Sequence, residues 1–332
     1  MTPPLHPREA LFEPEQRTAA LLPVCDHYAG VEPRMRKSLA LQAELGPVFD
    51  VTLDNEDGAP VGGELEQAHL VAELLGSAHN RFGRVGVRLL PVGHPRFEQV
   101  AETVLKAARV PAYLMIPKPT GVACIERAAA CIDALGGAAV PLHALIETHG
   151  ALAQVQAIAA HPRIESLSFG LMDFVSAHHG AIPQWAMGAE GQFEHPLVVR
   201  AKLEISAACH AHGKVPAHGV VTEFKDSAAL AEAARKAADL LGCTRMWSIH
   251  PSQVRTIVAA FTPSRAEIEQ AVAILQAAQA AHWAPIRHHD GQADTLHDRA
   301  SYRYFWQLLQ RAARTGGLGA LAQDATIAAW LA

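Results

Sequence analysis

Short apolar runs alternate with stretches of helical periodicity along most of the chain. Eight of these runs have the length and composition of buried strands. They are Leu21–Cys25, Val48–Leu53, Val85–Leu90, Ala112–Ile116, Leu142–Ile146, Ser166–Gly170, Val215–Val220 and Met246–Ile249. The intervening stretches are rich in alanine, leucine and glutamate and predict helices at Phe97–Ala108, Val122–Leu135, Ala151–Ala160 and Ser227–Leu241.

The alternation of strand and helix, repeated to eight, is typical of a parallel (β/α)8 barrel. A doubly wound open sheet alternates in the same way, but it usually carries a glycine-rich turn after its first strand. The segment that follows the first predicted strand, Cys25–Gly30, has no G-x-G-x-x-G motif, and the chain has no P-loop. The pattern therefore favours the barrel.

The character of the chain changes after Pro263, so we predict a barrel domain over residues 1–263 and a C-terminal helical extension over residues 264–332. Ser264 and Glu267 form a capping-box sequence that predicts a helix over Ser264–Ala281. A polar stretch, His288–Asp298, and an aromatic segment, Tyr302–Trp306, follow. Two arrangements are open for this extension: it packs on its own barrel, or it covers the active site of a neighbouring subunit.

Composition and charge narrow the classes of function. The chain has 332 residues, of which 50% are hydrophobic and 18% charged, so it can bury a large core. A net charge of −5 gives no reason to expect a nucleic acid or an anionic membrane as partner. No apolar run approaches the roughly 20 residues of a membrane span, and the first residues lack the layout of a signal peptide. We expect a soluble, cytoplasmic protein.

Cysteine and histidine usage argues against two kinds of site. The five cysteines form no C-x-x-C pair, so the sequence indicates neither a disulfide framework nor a thiolate zinc site. Nineteen histidines are present, but no H-E-x-x-H motif occurs. Zinc is therefore not favoured.

Two acids, Glu147 and Asp173, end consecutive apolar runs. Neighbouring parallel strands would bring both carboxylates to the same barrel rim, where they would repel each other unless a proton or a cation lay between them. Mg²⁺, held by one or two carboxylates and completed by water and substrate oxygens, suits such a pair. The alternative is that the two acids are unrelated and cap the helices that follow.

Other polar residues fall at the same predicted rim. An arginine inside an apolar strand, Arg88, requires a carboxylate partner, and that partner comes either from the protein or from a substrate. The acids Asp54, Glu56 and Asp57 are either functional or an exposed turn. The remaining rim candidates are Lys118, which lies between two prolines, and His250, for which a packed structural role is favoured over a ligand role.

The residues at this rim resemble the citrate lyase beta-subunit group of the HpcH/HpaI aldolase superfamily. The resemblance covers roughly Leu21 to Ala281. Its motifs are Leu53-Asp-x-Glu-Asp-Gly, Val-Arg88, Ile-Pro-Lys118, Ala144-Leu-Ile-Glu147-Thr-x-Gly150, Phe169-Gly-x-x-Asp173-Phe and Ile249-His-Pro-x-Gln253. It implies a TIM barrel of the phosphoenolpyruvate/pyruvate-domain type, assembled as a homotrimer or hexamer. It also implies a Mg²⁺-dependent lyase, with Mn²⁺ as the alternative ion, that cleaves or forms a carbon–carbon bond in malyl-, citramalyl- or citryl-CoA-like thioesters.

The resemblance also implies roles for individual residues. Glu147 and Asp173 would bind the metal. Arg88 would hold the carboxylate of a 2-oxo or hydroxy acid, with Glu56 and Lys118 also at the substrate. The catalytic residues would be Asp54, Asp57 and Asp294. Asp54 and Asp57 would orient water at the metal, and Asp294 of a neighbouring subunit would protonate the enolate. Asp298 is the alternative for this last role.

The sequence departs from the family pattern in its tail, which carries His288-His289 and Tyr302–Trp306, and at two further places. The opening strand, Arg17–Asp26, lacks the usual Pro-Gly turn, and His218-Gly-Val replaces Asp-Gly-Val. These departures keep two alternatives open. One is a metal-dependent aldolase that uses a free 2-oxo acid without coenzyme A, and the other is a non-catalytic lyase subunit.

Overall fold

The computed structural model describes residues 5–13, 20–289 and 293–331. Eight parallel strands form a closed barrel in the order β1 to β8, with β1 hydrogen-bonded to β8. The strands are β1 (Cys25–Ala29), β2 (Phe49–Asp54), β3 (Val85–Arg88), β4 (Leu114–Ile116), β5 (Leu142–Ile146), β6 (Ile164–Phe169), β7 (Val215–His218) and β8 (Arg245–Ser248). The predicted (β/α)8 barrel is confirmed.

The first strand lies four residues later than the sequence pattern predicted. The prediction of a strand at Leu21–Cys25 is wrong because β1 carries Asp26 and Tyr28, whose polar groups made this segment look like a loop. Both side chains face the barrel interior and bond there, Asp26 to Arg245 and Tyr28 to Asp54. Residues 17–19, which begin the Arg17–Asp26 segment compared with the family's opening strand, lie outside the described residues.

Helices follow the strands and bury apolar faces against the outside of the barrel. The helices of this unit are α2 (Glu32–Leu45), α3 (Glu64–Gly76), α4 (Phe97–Leu105), α5 (Val122–Ala134), α6 (His149–Ala153), α7 (Val155–Ala160), α8 (Leu171–Ser176), α9 (Pro196–Ala211), α10 (Ser227–Asp239) and α11 (Pro251–Phe261). Two short 3₁₀ turns, Gln184–Met187 and Gly191–Phe193, lie between α8 and α9.

The barrel interior is charged as well as apolar. Arg245 on β8 is 1% exposed and forms ion pairs with Asp26 on β1 at 3.1 Å and with Asp50 on β2 at 2.5 Å. The hydroxyl of Tyr113 donates to Asp26 at 2.9 Å, and its ring stacks on His143 with a centroid distance of 3.9 Å. A buried arginine is thus compensated by two buried carboxylates, as the desolvation of an ion requires.

The described residues within 1–17 and 262–332 form a second compact unit, separate from the unit of residues 18–261. It contains α1 (Pro7–Leu11), α12 (Arg265–Ala280), an antiparallel hairpin of β9 (Ile286–His289) and β10 (Asp294–His297), α13 (Arg299–Arg314) and α14 (Ala325–Leu331). A 3₁₀ turn, Gly319–Gln323, precedes α14. The unit has its own apolar core, to which α12 and α13 contribute most. The predicted capping box of Ser264 and Glu267 is present at the start of α12.

In the part of the chain that the structure describes, no helix combines the length and the apolar character needed to cross a membrane.

Candidate active site at the carboxyl ends of the strands

Arg88 is the last residue of β3, and it is paired in register with Asp54, the last residue of β2. Its Nε and Nη2 donate to the two carboxylate oxygens of Asp54 at 2.6 and 3.1 Å. Its Nη1 lies 3.0 Å from Glu56, and its Nη2 lies 2.9 Å from Asp57. The sequence left the partner of Arg88 open, and in this structure three protein acids take that place. Burial by itself would lower the pKa of the guanidinium, but Asp54 and Glu56 hold it well above its ordinary value.

Asp54 has no solvent exposure and is saturated with hydrogen bonds. Besides Arg88, it accepts from the hydroxyl of Tyr28 at 2.6 Å and from the backbone N–H groups of Glu56 and Gly58. Asp57 contrasts with it, since its side chain is 61% exposed. Asp54 therefore anchors Arg88, whereas Asp57 is the partner that can leave.

Glu56 and Lys118 form a second ion pair beside Arg88. The Lys118 Nζ lies 2.8 Å from Glu56 Oε1 and 3.7 Å from Asp173 Oδ1. Lys118 has a φ of 47°, in the left-handed region that residues with a side chain seldom adopt. In this conformation the backbone N–H of Lys118 donates a hydrogen bond to the carboxylate of Glu147.

Glu147 directly follows β5 and is 3% exposed. Its Oε1 accepts the backbone N–H of Lys118 at 2.7 Å. The pKa of Glu147 is raised to about 8. Burial is the largest cause, the carboxylates of Asp173 and Glu56 add to it, and the hydrogen bond from Lys118 opposes it. The site thus favours a proton, or a cation, at this carboxyl group.

Asp173 lies in the first turn of α8 rather than at the end of a strand, because β6 ends at Phe169. The absence of a side chain at Gly170 leaves room for the side chain of Glu147 beside the start of α8. A Cβ on Gly170 would overlap the Oε2 and Cβ of Glu147, so this position leaves no room for a larger residue. The two acids do converge, one from β5 and the other from α8.

A cavity of about 160 Å³ opens between these side chains. It is lined by Tyr28, Asp57, Arg88, Leu145, Glu147, Phe169, Gly170, Leu171, Met172, Asp173, Val220, Trp247 and Ile249. Among the described residues, no cluster of three or more histidine, cysteine, aspartate or glutamate side chains is arranged to hold a metal by itself. Two carboxylates that share a cavity fit an ion that completes its shell with water and substrate oxygens, as Mg²⁺ does.

The sequence missed Tyr28 and Trp247 as members of this site. Trp247 lies on β8 and is 6% exposed, and its ring centroid is 5.9 Å from that of Tyr28 and 6.0 Å from the guanidinium carbon of Arg88. Strand alternation on β8 could have identified Trp247, because it stands two residues from the inward-facing Arg245. Tyr28 had no such signal, since its segment was taken as a loop.

His250 and Gln253 shape the rim without lining the cavity. The ring of His250 stacks on Phe224, with 4.9 Å between centroids, and its Nδ1 shares a hydrogen bond of 2.7 Å with Ser252. Gln253 accepts the backbone N–H groups of Ile249 and His250 and donates to the carbonyl of Val221. Gln253 therefore ties the turn after β8 to the segment after β7.

The two candidate acids of the second unit have different surroundings. Asp298 is the N-cap of α13 and accepts the backbone N–H groups of Ala300 and Ser301. Asp294, on β10, forms an ion pair with Arg287 and lies 3.4 Å from the Nδ1 of His289. The carboxylate of Asp298 is thus occupied by a helix, while that of Asp294 is held by exposed side chains. Residues 290–292 of the predicted polar stretch lie outside the described residues.

A closed parallel barrel with paired carboxylates and a guanidinium at the carboxyl ends of its strands defines a (β/α)8-barrel enzyme. The model of the HpcH/HpaI aldolase/citrate lyase family matches residues 49–251, and the chain belongs to this family. This confirms the resemblance inferred from the rim motifs.

Two solved structures match most of the chain, and a characterised lyase matches about half of it. A citrate lyase from Burkholderia xenovorans LB400, known from a crystal structure, is 54% identical, with a TM-score of 0.83 over 98% of this chain and 99% of that one. The protein CitE from Mycobacterium tuberculosis, solved with magnesium, acetoacetate and coenzyme A, is 22% identical, with a TM-score of 0.66 over 88% of this chain and 98% of that one. An L-malyl-CoA/beta-methylmalyl-CoA lyase from Cereibacter sphaeroides is 31% identical over 186 residues, which cover 51% of this chain and only 57% of the relative.

Proposed function

We propose that this protein is a Mg²⁺-dependent carbon–carbon lyase that cleaves or forms a 3-hydroxyacyl thioester of coenzyme A. The observation that carries the proposal is the convergence of Glu147 and Asp173 on a cavity that also presents Arg88. The malyl-CoA lyase relative and the magnesium and coenzyme A bound by the CitE protein support it.

The charges that line the cavity explain the need for a metal. Three carboxylates, Asp57, Glu147 and Asp173, face a single guanidinium, that of Arg88. An acid substrate would be repelled from such a cavity unless a divalent cation came with it. Glu147 and Asp173 would hold Mg²⁺, or Mn²⁺ as the alternative. When bound, the ion would act as a Lewis acid that polarises substrate oxygens.

The substrate carboxylate would bind Arg88 in place of Asp57. Asp57 is the exposed member of the acid cluster, so its displacement costs the least, and Asp54 keeps the guanidinium in position. Glu56 and Lys118, paired at 2.8 Å, would flank the same end of the substrate. The released Asp57 is our candidate to take the hydroxyl proton, directly or through a water molecule.

Loss of that proton lets the carbon–carbon bond break, so that a 2-oxo acid and the enolate of an acyl thioester form together. The enolate carbon then takes a proton, and we propose Asp294 of a neighbouring subunit as the donor. Asp294 suits the role better than Asp298, because the latter is engaged as a helix cap. In the direction of synthesis the same residues act in reverse.

The experiment is a comparison of Glu147→Gln with the parent protein. Titration calorimetry with Mg²⁺ measures metal binding, and a coupled assay measures release of acetyl-CoA from malyl- and citramalyl-CoA. We expect the variant to lose both while its circular dichroism spectrum is unchanged. Glu66→Gln, on the exposed face of α3, is the matched control. Stoichiometric Mg²⁺ binding by Glu147→Gln would defeat the metal assignment, and absence of lyase activity in the parent protein would defeat the function.

We further propose a cytoplasmic homotrimer or hexamer. All five cysteines are free, which suits a reducing compartment. An acid donated by a neighbouring subunit requires an oligomer. Light scattering on the purified protein would test the assembly, and a monomer that is fully active would contradict it.

A further inference from the structure

The guanidinium of Arg88 is held by hydrogen bonds along its edge and by aromatic rings beside it. Its Nε and Nη2 donate to Asp54, and its Nη1 lies 3.0 Å from Glu56. Its central carbon lies over two rings, 5.0 Å from the centroid of Tyr28 and 6.0 Å from that of Trp247. At these distances a cation is attracted to the face of an aromatic ring. The hydrogen bonds thus fix the edge of the group, and the two rings limit the space into which it can swing.

Tyr28 contacts Arg88 in a second way, through its hydroxyl. The hydroxyl donates to Asp54 Oδ2 at 2.6 Å and accepts from Arg88 Nη2 at 3.3 Å. Burial and the carboxylate of Asp54 raise the pKa of the Tyr28 phenol, so the hydroxyl keeps its proton and remains the donor to Asp54. Tyr28 therefore links the guanidinium to the carboxylate that anchors it.

The Nη2 atom of Arg88 has more acceptors than protons. Such an atom carries a pair of N–H groups. Three acceptors lie within reach of it, namely Asp57 at 2.9 Å, Asp54 at 3.1 Å and the Tyr28 hydroxyl at 3.3 Å. Displacement of the exposed Asp57 side chain would free one N–H for a substrate carboxylate, while Asp54 and Tyr28 keep the other. The guanidinium can thus exchange one partner without turning away from the cavity.

The backbone beside Asp57 is held in place, so its side chain can move while the turn stays. Gly58, the next residue, packs against Gly30, which directly follows β1. A Cβ on Gly58 would lie 2.6 Å from the Cα of Gly30, so the two backbones are in close contact. The N–H of Gly58 also donates to Asp54. The exchange at Arg88 therefore needs a rotation of one side chain and no rearrangement of the turn.

We infer that Tyr28 and Trp247 are positioning residues, which hold the Arg88 guanidinium toward the cavity while a substrate carboxylate takes the place of Asp57. Their effect on the substrate is transmitted through Arg88. It falls on the affinity for the acid, because Arg88 binds the carboxylate both before and during the reaction, and such uniform binding changes KM rather than kcat. The inference rests on the proposed lyase function and goes beyond it, because it adds two residues that the rim motifs did not identify.

The test is the steady-state kinetics of condensation by the full chain, with saturating Mg²⁺ and acetyl-CoA. Glyoxylate, pyruvate and oxaloacetate are each varied, and the acid that the parent protein uses best is carried forward to the variants. Tyr28→Leu removes both the ring and the hydroxyl, and we expect it to raise KM for the acid about tenfold and to change kcat less than about twofold. Tyr28→Phe keeps the ring and should raise KM about threefold, through the lost hydroxyl alone. In the same way, Trp247→Leu should raise KM more than Trp247→Phe.

Phe82→Leu is the matched control. It removes a contact of the same kind, between Phe82 and Arg81 at 5.6 Å, before the start of β3 and so at the other end of the barrel from the cavity. Its KM should equal that of the parent protein, and calorimetry should give every variant the parent affinity for Mg²⁺.

A merely structural role would lower kcat through the folded fraction and leave KM at the parent value. That result in Tyr28→Leu and Trp247→Leu would overturn the inference and leave the lyase proposal standing. If Tyr28→Leu does not fold, Tyr28→Phe decides, and an unchanged KM in that variant would overturn the role of Tyr28. Absence of condensation with all of the acids in the parent protein would overturn both the inference and the lyase function.

Discussion

Replacement of Arg88 by methionine should destabilise the barrel strongly, because it leaves carboxylates without their partner. The guanidinium is 6% exposed, while its partners Asp54 and Glu56 are 0% and 8% exposed. Removal of one member of a buried ion pair costs about 3–5 kcal/mol. The contact with Asp57 adds little, since that side chain is 61% exposed and its charge is screened. We therefore expect Arg88→Met to lose about 3–5 kcal/mol of unfolding free energy, mostly through Asp54.

Urea unfolding followed by far-ultraviolet circular dichroism, in EDTA, is the assay. Asp54→Asn in the Arg88→Met background should restore part of the loss, because it removes the uncompensated charge, and the double-mutant cycle should show coupling. Arg36→Met is a suitable control, since its ion pairs with Glu32 and Glu73 are exposed and should contribute nothing measurable. A loss below about 1 kcal/mol in Arg88→Met would refute this account of the acid cluster.

Three further predictions concern other parts of the chain. Gly170→Ala should displace the side chain of Glu147 and weaken Mg²⁺ binding at least about tenfold. The same overpacking should cost about 1–3 kcal/mol of stability. Unchanged Mg²⁺ affinity in calorimetry would contradict the close contact between Gly170 and Glu147. Burial lowers the pKa of Lys202 from 10.5 to about 7, so between these pH values the unfolded chain binds more protons than the folded one. The stability of the fold should therefore rise with pH across this window, by up to about 1.4 kcal/mol per pH unit. Urea midpoints measured from pH 7 to 9.5 should show this slope in the parent protein and a shallower slope in Lys202→Met. Parallel slopes would be evidence against the lowered pKa of Lys202. Asp294→Asn should stop turnover and leave Mg²⁺ and coenzyme A binding intact. Asp298→Ala should lower stability by about 1 kcal/mol through loss of its helix cap and keep turnover. The reverse result in the turnover assay would exchange the roles of the two acids.

The sequence pattern was sufficient for the barrel and for the acids of its rim, but not for the contacts among them. β5 was predicted to the residue, because Leu142–Ile146 is apolar except for His143. β1 was misplaced, because a strand that lines a charged barrel interior has polar residues where the pattern expects apolar ones. The partners of Arg88 depend on the register between β2 and β3, which is a tertiary property that no local spacing reveals. Alternation along β8 could have placed Trp247 on the inward face, but its contact with Arg88 follows from closure of the barrel.

The buried arginine of β8 has a consequence for how the barrel assembles. Arg245 joins the last strand of the barrel to carboxylates on the first two strands, Asp26 and Asp50. A nascent or truncated chain that lacks β8 would leave Asp26 in a desolvated interior without its arginine and Asp50 with Arg84 alone, so a partly closed sheet is less stable than the closed barrel. Closure of the seam between β1 and β8 should therefore be a late and cooperative event. A fragment that ends before Arg245 should fail to fold by itself and should recover structure when a second fragment supplies β8.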